Sequence, residues 1–345
     1  MRRMLLSLVL LWLALAGVAC GTKPTTEITI AVVPKGTTHE FWKSVHAGAI
    51  KAGRELNVKI LWQGPLKEDD REDQIKVVDT LVSRGIQGLL VAPLDDKALR
   101  QPVANAVRAG IPVVTFDSKL ESDDPLSLVA TSNLVAGRLA GMHMGQILGG
   151  KGNVIVMRLH EGAASTTARE EGFLEALKTF PGIAVISSNQ YAGALAEGAY
   201  RVGENLLAST KAADGAVQGI FCPNESTTFG MLRALQTSGL AGKIKYVGFD
   251  SSDKLVRGLK DGQIDALLLQ DPFAMGYIGV KTLVSAIHGE KVEKFIDTGA
   301  TVVTRDNMEQ SDIKNRLQPN LDQYLKPARS TFRHPGENRG PAWSP

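Results

Sequence analysis

Residues 244–271 read IKYVGFDSSDKLVRGLKDGQIDALLLQD. Two short apolar runs, KYVGF and ALLL, each stop on polar residues: Asp250 after the first, Gln270 and Asp271 after the second. The stretch between them alternates apolar and charged residues at helical period. Strand, helix and strand in that order predict a βαβ unit of a parallel sheet.

The same alternation extends upstream. ITIAVVP, VKILWQ, IQGLLVAP, IPVVTFD and LSLVAT occupy the first half of the body; NVIVMRL, IAVISS, VQGIFCPN, KIKYVGFD and IDALLLQD occupy the second. Wording repeats across the halves: VVTFDSK answers YVGFDSS, and GLLVAPLDDKAL answers GIFCPNESTTFG. The expected fold is therefore α/β, two similar Rossmann-like lobes each built on a parallel sheet.

Helices are predicted over 70–83, 97–109, 135–148, 167–179, 196–209, 226–237 and 273–288, with short loops between. In HEFWKSVHAGAIKAGREL, residues Phe41, Val45, Gly48, Ala52 and Leu56 share one face. Thr37 and Glu40 stand in a capping-box spacing, which predicts a helix start at Thr37 or Thr38. That start places Phe41 and Trp42 in the first turn.

The chain opens MRRMLLSLVLLWLALAGVAC, two arginines, an apolar stretch and small residues ending at Cys20. This is a secretory signal over 1–20. Gly17-Val18-Ala19-Cys20 resembles the bacterial lipoprotein box, which makes Cys20 the acylation site, although Gly17 departs from the usual leucine; cleavage without lipid is the alternative. Residues 21–26 are then a tether. No other apolar stretch reaches the ~20 residues a bilayer requires.

Cys20 and Cys222 are the only cysteines. A disulfide framework is excluded once Cys20 is acylated, and Cys222 at the end of an apolar run predicts a buried small residue. Net charge is +3; the first two arginines carry +2 and residues 326–345 carry +3, which leaves the body slightly acidic at −2. No basic patch for nucleic acid follows from that distribution. The last segment, rich in Pro, Gly and Arg, is expected to be a disordered tail.

In open parallel sheets, ligands bind beyond the carboxyl ends of the strands. Asp117, Asn224, Asp250 and Gln270 stand there, in both halves. Each is also of a type that caps helices or turns, but their recurrence, with Asp117 and Asp250 in matching FDS contexts, points to a site. Carboxylates and amides hydrogen-bond hydroxyls, and aromatic faces cover the CH surface of a sugar ring. The chemistry suits a neutral polyol. None of the six histidines forms an H-E-x-x-H pair, so no metal and no cofactor is expected. GGKGN at 149–153 precedes a strand and is a turn instead of a phosphate loop. KEDDRED at 67–73 reads as a solvated helix start.

With these features in place the chain resembles the periplasmic ribose-binding protein family, sugar-binding subunits of bacterial ABC importers. The resemblance runs from Ile28 to Thr304 and rests on EFWKSVHAGAIKAGRELNVKI, IPVVTFDS, STTAREEGF, CPNESTTFGMLRALQTSGL, KYVGFDSSDKLVRGLKDGQIDALLLQDPFAMGYIGV and HGEKV. It implies a periplasmic binding protein of type I, with a three-crossing hinge near 131–132, 270–271 and 298–299. The lobes would be 27–131 plus 271–298 and 132–270 plus 299–325, with the tail at 326–345.

By motif, the resemblance assigns ligand contacts to His39, Phe41, Trp42, Asp117, Arg169, Asn224, Asp250 and Gln270, and Ser118 beside Asp117 is expected in the site with them. His39 replaces an asparagine and Ser118 replaces an arginine of the family pattern, and the second-lobe aromatic has only Tyr191 as an uncertain match. A sugar other than ribose is thereby possible. The function so implied is capture of a ribose-like monosaccharide and delivery to an ABC permease and its ATPase. It implies a periplasmic or cell-surface monomer that meets the membrane only through its lipid. A sensory receptor for a sugar or autoinducer is the alternative. A secreted carbohydrate enzyme using Asp117 and Asp250 is a third, weaker reading, because binding is the commoner role for such aspartates. The DNA-binding regulators that share this fold are disfavoured by the export signal.

Overall fold

The structure is a computed structural model that describes residues 27–326. The expected signal and tether, with Cys20, and the expected tail beyond Lys326 lie outside the described residues. Numbered in chain order, the strands are β1 (Thr29–Val33), β2 (Lys59–Trp62), β3 (Gly88–Val91), β4 (Val113–Phe116), β5 (Ser127–Ala130), β6 (Lys151–Arg158), β7 (Gly182–Tyr191), β8 (Gly219–Phe221), β9 (Lys245–Phe249), β10 (Ala266–Leu269), β11 (Phe295–Asp297) and β12 (Thr301–Val303).

They form two six-stranded sheets, ordered β11-β5-β4-β3-β1-β2 and β12-β10-β9-β8-β6-β7. Every pairing is parallel except β10 with β12. The register in the first sheet pairs Ile30 with both Ile60 and Gly88. Both faces of each sheet are covered. Ile30 and Val32 enter one core cluster while Ala31 and Val33 enter another on the opposite face. A strand buried on both faces has no polar side to show, which is why the predicted strands are continuous apolar runs.

The helices are α1 (Glu40–Leu56), α2 (Arg71–Ser83), α3 (Arg100–Arg108), α4 (Asn133–Ile147), α5 (Ala164–Leu177), α6 (Ala196–Ser209), α7 (Glu225–Thr237), α8 (Asp253–Lys260), α9 (Pro272–Ile287), α10 (Ser311–Leu317) and α11 (Asp322–Leu325). In the first lobe α1 lies against α9 at backbone distance. A Cβ added to Gly48 would stand 2.0 Å from the Phe273 carbonyl oxygen, and one on Gly276 would stand 2.0 Å from that of Val45. The second lobe repeats the device between α4 and α5: Gly137 meets the Arg169 carbonyl and Gly172 that of Leu134, each at 2.1 Å.

The chain leaves the first sheet after β5, returns after β10 and leaves again after β11. The first and third passages are tied together, Thr131 Oγ1 donating to Gly299 O at 3.0 Å and Ser132 N to Asp297 Oδ1 at 2.9 Å. A further passage was not expected. Ile313 and Leu317 of α10 sit in the second-lobe core, yet α11 packs on α1 of the first lobe. Arg54 donates to the carbonyls of Gln323 and Tyr324, and the Tyr324 ring lies 5.3 Å from Phe273. Residues 322–325 therefore depart from the second-lobe assignment of 299–325.

Two local expectations also change. The α1 helix starts at Glu40 with His39 as its N-cap, and Thr37 Oγ1 turns away to the Pro65 carbonyl. The stretch 67–73 is not uniformly solvated: Asp70 caps α2, but Glu68 is only 7% exposed.

Candidate functional site

The carboxyl ends of the two sheets face each other, and the loops leaving them line a narrow cavity. Lys35 follows β1. His39, Phe41 and Trp42 come from the start of α1, Glu68 from the loop after β2, and Asp117 from the end of β4. The second lobe supplies Leu159, Ser165, Thr166, Arg169, Asn224, Glu225, Asp250 and Gln270. The enclosed space is only about 30 Å³. Admitting a sugar-sized ring requires the lobes to part or side chains to turn. A larger cavity of about 700 Å³ adjoins it and shares Phe41, Glu225, Asp250 and Gln270. It reaches to the segment 316–322 that links α10 to α11.

Asp117 and Asp250 occupy equivalent places, each the first residue beyond its strand and each in left-handed backbone, φ 58° and 68°. Neither is the N-cap of the helix that follows it, a place taken by Ser132 and Ser252. Asp117 pairs with Lys35 at 2.7 Å. Asp250 accepts from Gln270 Nε2 at 2.6 Å and from Glu225 N at 2.9 Å. Burial raises the Asp250 pKa, with Arg169 and Gln270 opposing. Asn224 does cap α7, accepting from Thr227 N at 3.2 Å, while still lining the cavity. Asp271 caps α9 and stays outside the cavity.

Arg169 is 2% exposed, so it is no surface charge. Its Nε donates to Asn133 Oδ1 at 2.8 Å, Nη1 to Pro223 O at 2.9 Å and Nη2 to Gln270 Oε1 at 2.8 Å, with the guanidinium 4.4 Å over the Phe249 ring. Arg169, Gln270 and Asp250 thus form one buried chain of hydrogen bonds. Such a chain holds its members in place because breaking any link strands a buried polar group.

In the first lobe His39 Nδ1 lies 2.8 Å from Glu68 Oε1, and the same carboxylate accepts from Trp42 Nε1. Burial disfavours a charged imidazole, but the charge and hydrogen bond of Glu68 outweigh it and raise the His39 pKa to about 9. Burial likewise opposes ionised Glu68, yet His39, Lys35 and Trp42 hold it down to about 2. Phe41 and Trp42 meet edge to face at 4.9 Å, and Trp42 meets Phe116 the same way at 6.1 Å. Glu225 is pushed up to about 7, by burial first and by Asp250, against the pull of His39.

Eight of the nine residues expected in the site line this one cavity. Ser118 does not: its Oγ accepts from Ser165 N at 3.2 Å, a bond from one lobe to the other. Tyr191 is exposed, beside Arg158, and also lies outside. Cys222 is fully buried and its thiol is pushed up to about 12 by burial. Lys35, Glu68 and Glu225 escaped the sequence reading. Lys35, two residues past β1, and Glu225, beside Asn224, were within reach of the strand-end rule. Glu68 carried no local signal.

A family model described as a periplasmic binding protein domain matches residues 30–291. The ribose import binding protein RbsB of Haemophilus influenzae is 31% identical over 84% of this chain and 96% of its own length. A carbohydrate transporter solute-binding protein from Agrobacterium radiobacter, solved in complex with D-arabinose, superposes with a TM-score of 0.80. It is 34% identical over 85% of this chain and all of that one. An ABC transporter solute-binding protein from Agrobacterium vitis with bound D-fucose gives 0.79 and 37% identity, over 84% of this chain and all of that one. The chain belongs to the periplasmic binding protein family, with the type I fold of two parallel-sheet lobes.

Proposed function

We propose that this protein captures a neutral monosaccharide between its lobes outside the cytoplasm and presents it to the permease of an ABC importer. One observation carries the reading: two matched aspartates at opposed strand ends, Asp117 and Asp250, share a cavity with Phe41 and Trp42. Hydroxyls have acceptors on both sides and a ring has aromatic surface to lie against. The charges in the cavity nearly balance, three cations (Lys35, His39, Arg169) against Glu68, Asp117, Asp250 and a Glu225 that titrates near neutrality. A net-charged sugar acid or phosphate would upset that balance in a buried site, at high cost.

His39, Phe41, Trp42, Asp117, Arg169, Asn224, Asp250 and Gln270 are the contacts we assign, with Ser118 acting one step removed through Ser165. The lobes move about the passages near 131–132, 270–271 and 298–299. Support for import over catalysis comes from the relatives, which are named as import or solute-binding proteins. Anchoring through acylated Cys20 and a monomeric state complete the proposal; labelling with a radioactive fatty acid, lost in Cys20→Ser, checks the anchor.

The test is a thermal-shift screen against pentoses, hexoses and polyols, followed by calorimetry on the hits. Ligand at a hundred times Kd stabilises by about 2.7 kcal/mol, a readily seen shift. No shift with any neutral sugar, or a stronger shift with sugar acids, overturns the reading.

A further inference from the structure

The chain passes from the second lobe back to the first a last time at 318–321, between α10 and α11. On the second-lobe side Leu317 is 5% exposed in the core, and Gln318 Nε2 donates to Asp253 Oδ1 at 3.3 Å. On the first-lobe side α11 packs on α1. Arg54, in the last turn of α1, donates to the carbonyls of Gln323 and Tyr324 at 3.2 and 3.0 Å, and the Tyr324 ring meets Phe273 of α9 at 5.3 Å.

The two attachments are unequal. Helix α10 buries Ile313 and Leu317, while α11 is a single turn with no buried residue. One turn of helix is unfavourable by itself, so α11 depends on the surface it packs against. The link is also short. From Gln318 to Asp322 is four residue steps, which span at most about 14 Å. Lobes that part beyond that reach must pull one end loose, and the end with fewer buried contacts is released first.

We propose that Asp322–Leu325 is a clasp on the cleft, seated on α1 when the lobes are together and released when they part. Its contacts add to the closed state alone, so seating of the clasp and binding between the lobes favour each other. The linking residues also wall the larger chamber that opens on Phe41, Asp250 and Gln270, which covers this flank of the cleft while the clasp is seated. The clasp rests on the sugar reading only for the ligand that closes the lobes.

The test uses the full chain with two substitutions outside the sugar cavity, Arg54→Ala and Tyr324→Ala, combined in one variant. Small-angle X-ray scattering without ligand should give the variant a larger radius of gyration than the wild type, and the two should agree when saturated with the best sugar of the screen. Sugar affinity should fall roughly fivefold or more in the variant, through faster dissociation. An unchanged ligand-free radius, or tighter sugar binding by the variant, would overturn the clasp. A wild type that binds no sugar would overturn the function instead, and the ligand-free radii would still decide the clasp. If the variant does not fold, hydrogen exchange of the wild type decides. The Tyr324 and Leu325 amides, which both donate to the Leu321 carbonyl, should be protected more strongly with sugar bound than without; equal protection in the two states refutes the clasp.

Discussion

Asp117 and Asp250 are related as the same residue in two lobes, both stepping off a strand into left-handed backbone, with φ of 58° and 68°. That conformation is costly for most side chains but tolerated by Asn and Asp. Substitution therefore has two separable effects. Asp→Asn keeps the backbone and the shape while removing the charge; Asp→Ala adds strain of about 1 kcal/mol. Each Asp→Asn variant should lose about tenfold to a hundredfold in sugar affinity, the value of a charged hydrogen bond, and Asp117→Asn should also melt lower because it leaves the buried Lys35 ammonium without its carboxylate. Unchanged affinity in both, by calorimetry, would remove these residues from the site.

His39 and Glu68 form a buried pair with opposite pKa shifts. His39, raised from 6.5 to about 9, contributes stability that is complete below 6.5 and lost as pH rises through 9. Glu68, lowered from 4.5 to about 2, contributes stability that is present above 4.5 and lost as pH falls through 2. Their common window is 4.5 to 6.5. Denaturant unfolding should show Glu68→Gln costing on the order of 3 kcal/mol at pH 5.5 and much less at pH 9.5. The His39 imidazole, followed by NMR, should titrate at or below 6.5 in the variant. A His39 that still titrates near 9 without Glu68 would refute the pairing.

Glu225 has the opposite sense. Its carboxyl, raised from 4.5 to about 7, has no cost below 4.5 and destabilises the fold progressively as pH rises through 7. Glu225→Gln should therefore gain on wild type between pH 5 and pH 8, by roughly 1–3 kcal/mol. Parallel stability curves for the two proteins across that range would rule this out.

Gly48 and Gly137 bring helix pairs together in the two lobes. An alanine would ordinarily gain up to about 1 kcal/mol in helix propensity. Here its Cβ would fall 2.0 Å from the Phe273 carbonyl or 2.1 Å from that of Arg169, and overpacking of this kind costs about 1–3 kcal/mol. Gly48→Ala and Gly137→Ala should both lower the melting temperature, and Gly137→Ala should also weaken sugar binding by displacing Arg169. A melting temperature that rises in either variant would show that the helices have room to shift.

Much of the architecture was legible because burial on both faces leaves a plain signature. A strand such as Ala266–Leu269 has no solvent side, so its apolar run marks it and the polar residue after it marks the rim. The missed elements lack that signature. Strand β12 has only three residues and two of them are partly exposed, while α11 is a single turn that gains its place by packing on α1.

The site divides in the same way. Asp117, Asn224, Asp250 and Gln270 could be named from local pattern, since three of them follow their strands directly and Asn224 comes three residues past the end of β8. So could the pair Phe41 and Trp42 at the start of α1. Chain order alone gave no means of seeing that Glu68 folds back 26 residues to hold Trp42, or that Lys35 reaches 130 residues ahead to Ser165. Ser118 looked like a ligand residue by its neighbour, and the structure turns it to the other lobe. Short-range periodicity and strand ends determined the fold and the rim of polar residues. Which charges pair, which carboxyl stays protonated near neutrality and which groups cross the cleft were decided only when the two lobes met, because pairing energies and burial depend on distances that no local stretch contains.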